Sequence, residues 1–82
     1  MKENPSLDVL AQLGKRIAYL RKEKNMSQLT LSFESNIAKS YISDLERGRR
    51  NPTVKILERL SLALGVTLEE LFRGIVSLEQ LL

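Results

Sequence analysis

The segment IAKSYISDLERGRRNP, residues Ile37–Pro52, contains a short amphipathic helix followed by a basic turn. Ile42 and Leu45 stand three residues apart, the spacing that places two side chains on one face of a helix. The residues around them are small, polar or charged, and Gly48 is of the residue type that most often follows a helix end. The segment therefore predicts a helix from about Lys39 to Arg47 with one buried face and one face of short polar side chains.

A second short helix is predicted immediately before this one, over Gln28 to Ser35. Ser27 is a natural N-cap, Leu31 is expected to be buried, and Asn36 tolerates the positive φ needed between the two helices. Two short helices joined by a tight turn form a helix-turn-helix, in which the second helix enters the DNA major groove and the first crosses the DNA backbone. A helix entering a groove about 12 Å wide needs short side chains near its N-terminus. The helix after Asn36 meets that requirement.

Three further helices are predicted from apolar spacing and cap residues, which makes the chain an all-α protein of five short helices. The first runs from about Leu7 to Lys24, with apolar residues every three or four positions. The fourth begins after Thr53 and closes at Gly65. The fifth begins with a capping box formed by Thr67 and Glu70. The residues of the fourth helix expected to face inward are Val54, Leu57, Leu60, Ala63 and Leu64.

The composition indicates one small domain without metal or catalytic chemistry. With 82 residues the chain is expected to form a single domain, residues 1–82. It contains no cysteine and no histidine, so disulfides and the usual zinc ligands are excluded, and no enzyme active site is predicted. No cofactor, no metal and no small-molecule effector are expected. No apolar run approaches the roughly 18 to 20 residues of a membrane span, so a cytoplasmic location, on the nucleoid while bound to DNA, is expected.

The net charge of +3 is unevenly distributed along the chain. Residues 1–52 contain ten Lys or Arg against six Asp or Glu, giving +4, whereas residues 53–82 contain three against four, giving −1. A basic first half indicates an anionic partner such as nucleic acid, and a leucine-rich second half indicates packing or pairing. Such asymmetry also arises by chance in small proteins, so the charge alone leaves both interpretations open.

Residues 17–71 resemble the Cro/repressor-type (XRE) helix-turn-helix family. The matching runs are RKEKNMSQ, LSFESNIAKSYISDLERGRRNPT and LERLSLALGVTLEELF. The run YISDLERGRRN is most like controller proteins of restriction–modification systems, and it is also similar to small bacterial developmental repressors. The resemblance implies a lambda-repressor-like DNA-binding domain with its helix-turn-helix motif at residues 28–47.

The function implied by this resemblance is a transcriptional regulator, repressor or activator, that binds double-stranded DNA sequence-specifically. Among controller proteins it would regulate its own promoter and a neighbouring restriction endonuclease gene. Two alternatives stay open. One is a small repressor of another bacterial pathway, and the other is a protein-interaction module, such as an antitoxin, that uses the same fold.

The resemblance assigns DNA contacts to two sets of residues. Base contacts are expected from the open face of the third helix, formed by Lys39, Ser40, Ser43 and Asp44. Contacts to the DNA backbone are expected from Gln28, Tyr41, Arg47, Arg49, Arg50 and Asn51. Lys39 suits guanine and Asp44 suits the amino group of cytosine. Alternatively Lys39 contacts a phosphate, and Asp44 acts as a cap or pairs with Lys39 or Arg47. Tyr41 could likewise be a half-buried surface aromatic, and Arg49 could lie in a solvated loop.

Two further assignments concern protein–protein and helix–helix contacts. The family places a structural ion pair between the first and third helices, at Arg21 and Glu46. The second half of the chain has more apolar residues than one small core holds, which indicates an interface and a homodimer on a palindromic site. Residues 72–82 form an apolar tail, which could instead fold back onto its own monomer. The predicted interface consists of Val66, Leu68, Leu71, Phe72, Ile75 and Val76.

Overall fold

Five helices and no strand make up residues 8–77, the part of the chain that the computed structural model describes. The predicted all-α fold is confirmed. None of the helices within these residues is long and apolar enough to cross a membrane. The helices are α1 (Val9–Glu23), α2 (Gln28–Ser35), α3 (Lys39–Glu46), α4 (Val54–Leu64) and α5 (Leu68–Leu71).

Local capping residues determine where the helices begin and end. The carboxylate of Asp8 accepts a hydrogen bond from the Leu10 amide at 3.0 Å, so α1 begins later in the chain than predicted. Asn36 and Gly65 close α2 and α4 with φ angles of 57° and 70°, the left-handed conformation expected of these residue types. The side chains that cap the start of α1, α2, α4 and α5 are those of Asp8, Ser27, Thr53 and Thr67.

Leucine and isoleucine side chains from all five helices form one hydrophobic core. Each fully buried side chain of this size stabilises the fold by roughly 1.5–3 kcal/mol, an upper bound because the unfolded chain already buries some surface. α3 contributes two of these residues and is therefore held firmly against the other helices. The core consists of Leu13, Ile17, Leu20, Leu31, Ile37, Ile42, Leu45, Leu57, Leu60, Leu64 and Leu71.

Two apolar residues differ from their predicted positions. The prediction that Val54 faces inward is wrong: the residue is 70% exposed, because it shares a face of α4 with Glu58 and Leu62, which are also exposed. The prediction that Leu71 belongs to a dimer interface is also wrong. Leu71 is fully buried, because it is the residue of α5 that packs into the core of its own chain. It therefore stabilises the monomer and is removed from the interface.

A close contact between the backbones of α1 and α3 fixes the position of α3. A Cβ atom built on Gly14 would overlap the carbonyl oxygen of Leu45 and lie 2.7 Å from that of Glu46. Only glycine allows the two helices to approach so closely, and within a helix it costs about 1 kcal/mol relative to alanine. Gly14 was not predicted to matter, although a glycine inside a helical pattern usually has a packing reason.

Side chains of α1 also hold α5 and the residues that follow it. The Nε and Nη2 atoms of Arg16 donate to the carbonyl oxygen of Glu70 at 3.2 and 2.9 Å. The carboxamide of Gln12 donates to the Val76 carbonyl at 2.8 Å and accepts from the Val76 amide at 3.0 Å. Residues 75–77 are not helical and return to α1, and the rest of the predicted tail, residues 78–82, lies outside the described residues.

Candidate nucleic-acid interface

The turn between α2 and α3 is closed by hydrogen bonds from both backbone and side chain. The Ile37 amide donates to the Ser32 carbonyl at 3.2 Å. The Ser32 hydroxyl donates in return to the Ile37 carbonyl at 2.6 Å. Ile37 is buried, and the preceding Asn36 has a φ of 57°. α2 and α3 are thereby held as one helix-turn-helix unit.

α3 has one buried face and one polar face that points away from the core. Ile42 and Leu45 are fully buried. Ala38 precedes the helix and supplies no side-chain hydrogen bond to its first turn. The four predicted base-contact residues lie on this polar face, called here the open face, and they are Lys39, Ser40, Ser43 and Asp44. The first two are exposed and the last two are half-buried. Because these side chains are short apart from Lys39, this face of α3 can approach the edges of DNA bases.

The buried end of α3 is tied to α1 by the expected ion pair of Arg21 and Glu46. Nε of Arg21 donates to Oε2 of Glu46 at 2.7 Å, and Nη2 donates to Oε1 at 3.0 Å. The two side chains are only 11% and 8% exposed. The hydrogen bond to Glu46 raises the pKa of Arg21, burial lowers it, and the charge of Glu46 raises it further, so that the net direction is upward. The guanidinium therefore stays charged and holds α3 in place.

Gln28 belongs to the same hydrogen-bond network. Its Nε2 atom donates to Oε1 of Glu46 at 2.9 Å, and Nη1 of Arg21 donates to the Met26 carbonyl at 2.8 Å. The carboxamide nitrogen of Gln28 is thus engaged inside the protein. A contact to the DNA backbone at this residue would use the carboxamide oxygen, bridged to a phosphate by a water molecule, or the main-chain amides in the first turn of α2.

A helix-terminating motif turns the chain back across the end of α3. The Gly48 amide donates to the Leu45 carbonyl at 3.0 Å and the Arg49 amide donates to the Asp44 carbonyl at 2.9 Å, the pair of bonds that defines a Schellman motif. Gly48 has a φ of 76°, and a Cβ atom there would lie 2.9 Å from Cα of Ala11. Both the positive φ and the close contact with Ala11 require glycine at this position. The turn brings Arg50 back beside α3.

Arg50 is held against α3 by two side chains. Its guanidinium carbon lies 4.9 Å from the centre of the Tyr41 ring, a cation–π contact. Its Nη2 atom lies 3.6 Å from Oδ2 of Asp44, and the two side chains are 49% and 36% exposed. The ion-pair partner of Asp44 is therefore Arg50 and neither of the two alternatives expected from the sequence. Tyr41 is half-buried and packs against the core, so its ring forms part of the domain as well as supporting Arg50.

The remaining cations of this surface have no carboxylate partner within residues 8–77. Lys39, Arg47 and Arg49 are exposed, and none of them forms an ion pair with any residue in the described range 8–77. Asn51 is exposed beside them. Several uncompensated positive charges on one side of a small domain produce a potential that attracts polyanions. We call Arg47, Arg49, Arg50 and Asn51 the basic flank of the open face.

The predicted dimer surface lies on α5 and the residues after it. Leu68, Phe72 and Val76 are exposed to between 37% and 49%. Val66 and Ile75 are partly buried against the core of their own chain. The two hydrogen bonds of Gln12 also bring the backbone at Val76 back to α1. The start of the predicted tail thus folds onto its own monomer, as the alternative expected, but leaves apolar side chains exposed.

Three features of the site were not predicted from the sequence. They are the glycine contact beneath α3, the engagement of Gln28 by Glu46, and the pairing of Asp44 with Arg50. Only the first had a recognisable signal, a glycine within an amphipathic helix. The contact of Gln28 with Glu46 depends on how the start of α2 meets the end of α3, and the pairing of Asp44 with Arg50 depends on the reversal of the chain at Gly48.

A helix-turn-helix with an open polar face and a basic flank defines a DNA-binding class of proteins. The helix-turn-helix family model HTH_3 matches residues 17–71, and the chain belongs to this family.

Individual relatives agree with this assignment. The HTH-type transcriptional regulator y4dJ of Sinorhizobium fredii (strain NBRC 101917 / NGR234) is 45% identical over 65 residues, which cover 79% of this chain and 84% of that protein. The control protein C.MunI of Mycoplasma sp is 38% identical over 69 residues, covering 83% and 93%. The solved tetramer of the restriction–modification controller protein C.Esp1396I in complex with its natural 35 base-pair operator superposes with a TM-score of 0.76 at 35% identity, covering 83% and 90%. The resemblance to controller proteins is confirmed.

Proposed function

We propose that this protein is a sequence-specific DNA-binding transcriptional regulator that inserts α3 into the major groove of its operator. The observation that carries the proposal is the division of α3 into two faces. One face is fixed to the fold by Ile42, Leu45 and the ion pair of Glu46. The other face is polar and open, and the basic flank lies at its end. A rigidly held helix with short polar side chains suits base recognition.

Base contacts and phosphate contacts are divided between the two parts of this surface. The open face, Lys39, Ser40, Ser43 and Asp44, reads base edges. The basic flank and Tyr41 neutralise or contact phosphates and so supply affinity without reading sequence. Lys39 is exposed and unpaired within the described residues, which suits a bond to O6 and N7 of guanine. The first-turn amides of α2, at Gln28, add a backbone contact.

The protein acts as a homodimer that joins two copies through the exposed apolar side chains of α5 and the segment after it. Leu68, Phe72 and Val76 form the centre of this surface, with Val66 and Ile75 at its edge. A two-fold dimer presents two α3 helices about 34 Å apart, the length of one DNA turn. The operator is therefore a palindrome with half-sites of that spacing.

Regulation follows from occupancy of the operator and requires no catalysis by the protein. The relatives named as control and controller proteins support a role in a restriction–modification system. In that setting the chain binds operators that control its own gene and a restriction endonuclease gene, in the cytoplasm and on the nucleoid. Its own concentration, through the monomer–dimer step, sets how much operator is occupied.

Selection of bound sequences from a random duplex library, at near-physiological salt, tests this function. We expect enrichment of one palindrome with half-sites about one turn apart. A variant with Arg47, Arg49 and Arg50 replaced by alanine keeps the open face and serves as a control, and it should lose enrichment at the same salt concentration. If the wild-type protein enriches no sequence, the proposal fails and a protein partner becomes the better explanation of the fold.

A further inference from the structure

We infer that Asp44 sets the specificity of DNA binding by holding Arg50 back from phosphates on DNA that lacks the right base. Asp44 is thus a positioning residue for Arg50 as well as a base-contact residue. The inference rests on the proposed function, and it adds a reason for placing a carboxylate on a surface that approaches a polyanion.

The geometry of Arg50 is that of a cation that is held but easily released. The distance of 3.6 Å between its Nη2 atom and Oδ2 of Asp44 is longer than a hydrogen bond, and both groups are in contact with solvent. The Tyr41 ring lies against the guanidinium carbon at 4.9 Å. The ring keeps Arg50 near α3 whether or not the carboxylate is paired. A phosphate can therefore replace Asp44 as the partner of Arg50 without a change of fold.

The backbone of the Schellman motif fixes the contact between Arg50 and Asp44. The bonds from the amides of Gly48 and Arg49 to the last turn of α3 reverse the chain at that point. The Arg49 amide binds the carbonyl of Asp44 itself. The residue that follows, Arg50, is thereby placed beside the side chain of Asp44 rather than beyond the end of the helix.

Asp44 is also the solvent-accessible carboxylate of this surface. Of the two acidic residues between Lys39 and Asn51, Glu46 is buried in its pair with Arg21, so its charge is neutralised inside the fold. Asp44 then opposes the four cations of the segment, Lys39, Arg47, Arg49 and Arg50. Its effect falls mainly on Arg50, because that is the cation it contacts.

Non-specific and specific DNA then place different demands on Asp44. On non-specific DNA a phosphate must compete with Asp44 for Arg50, and the carboxylate is left facing the DNA without a donor. On the operator the amino group of a cytosine can donate to Asp44, which frees Arg50 for a phosphate. The cost of opening the pair is offset only where the base is correct. The pair therefore weakens binding to wrong sequences more than binding to the operator.

The test compares Asp44→Asn with the wild-type protein on the selected operator and on a random duplex, over a series of salt concentrations. Asparagine has nearly the same size and no charge. We expect Asp44→Asn to bind random duplex about three- to tenfold more tightly, with a salt slope steeper by up to about one. We expect the ratio of specific to non-specific affinity to fall about tenfold or more. Glu34→Gln, which removes an exposed carboxylate from α2, is the matched control and should change that ratio by less than about twofold.

A double-mutant cycle with Arg50→Ala decides whether Asp44 acts through Arg50. The gain in non-specific affinity from Asp44→Asn should largely disappear in the Arg50→Ala background. If the gain is equal in both backgrounds, Asp44 acts only as a general negative charge and the inference is overturned. It is also overturned if Asp44→Asn weakens operator and random duplex by the same factor. If the wild-type protein selects no operator, the proposed function fails first, a result that the library experiment detects independently.

Discussion

The guanidinium of Arg21 and the carboxylate of Glu46 meet through two hydrogen bonds of 2.7 and 3.0 Å and join α1 to the last turn of α3. This pair lies on the buried side of the helix that we propose enters the major groove. Its function is therefore to hold α3 in position, and its loss should affect stability before it affects sequence preference.

Glu46→Ala should lower the free energy of unfolding by about 3 kcal/mol or more, because it leaves the buried Arg21 charge without its partner. Urea denaturation measures the change. Glu58→Ala is the control: Glu58 is paired with the exposed Lys55 at 3.9 Å, and its loss should cost less than about 1 kcal/mol. A Glu46→Ala protein that unfolds like the wild type but selects different DNA sequences would contradict the structural role.

The same pair should be insensitive to alkaline pH over the usual range. The pKa of Arg21 is raised mainly by its hydrogen bond to Glu46. A group whose pKa is higher in the folded than in the unfolded protein contributes its full stability below the unfolded pKa and loses it only as the pH rises through the folded value. The difference in unfolding free energy between wild type and Glu46→Ala should therefore be equal at pH 7 and pH 10. A difference that shrinks toward pH 10 would mean that Arg21 loses its proton in that range.

Gly14→Ala should destabilise the protein by about 2 kcal/mol or more and disturb the position of α3. The added methyl group would overlap the backbone carbonyl oxygens of Leu45 and Glu46, which cannot move without shifting a whole helix. Lys15→Ala, at the exposed neighbouring position of α1, should have little effect. Thermal or urea unfolding of both variants checks the prediction. Equal stability of Gly14→Ala and wild type would show that α1 and α3 have room to separate.

The helices could be predicted from the sequence because their ends are set locally. Ser27, Asn36, Thr53 and Gly65 act on the turns next to them, and these boundaries were located correctly. The side of α5 that faces the core could not be predicted, because both Leu71 and Phe72 are apolar and the helix is too short to show a period. Only the packing of α5 against α1 and α4 makes Leu71 a core residue.

The sequence predicts only some of the contacts that side chains of α3 make with residues outside this helix. The Arg21–Glu46 pair was expected from the family resemblance, which carries information about positions distant in sequence. The pairing of Asp44 with Arg50 was not expected, because it depends on the reversal of the chain at Gly48. A capping glycine can be recognised in a sequence, but the side chain that the returning chain will meet cannot.

Lys39→Ala and Arg50→Ala should change DNA binding in different ways. Lys39→Ala removes a base contact, so it should relax the preference at one base pair of each half-site, by about 1–3 kcal/mol. Arg50→Ala removes a phosphate contact, so it should weaken all sequences and lower the salt slope by about one. Binding to the operator and to single-base variants of it, measured over a range of salt, separates the two. If Lys39→Ala weakens every sequence equally, Lys39 contacts phosphate instead.

Phe72→Asp should weaken the proposed dimer by about tenfold or more. Phe72 is 40% exposed at the end of α5, and a charge there would be buried between the two copies without a partner. Phe33→Asp is a matched control, because Phe33 is 77% exposed on α2, a helix that contains none of the proposed interface residues. Sedimentation velocity over a range of protein concentration measures the monomer–dimer equilibrium of both variants. Thermal unfolding shows whether each monomer remains folded. If both substitutions weaken the dimer equally, the interface lies elsewhere. If the wild-type protein stays monomeric at high concentration and on its operator, there is no dimer interface.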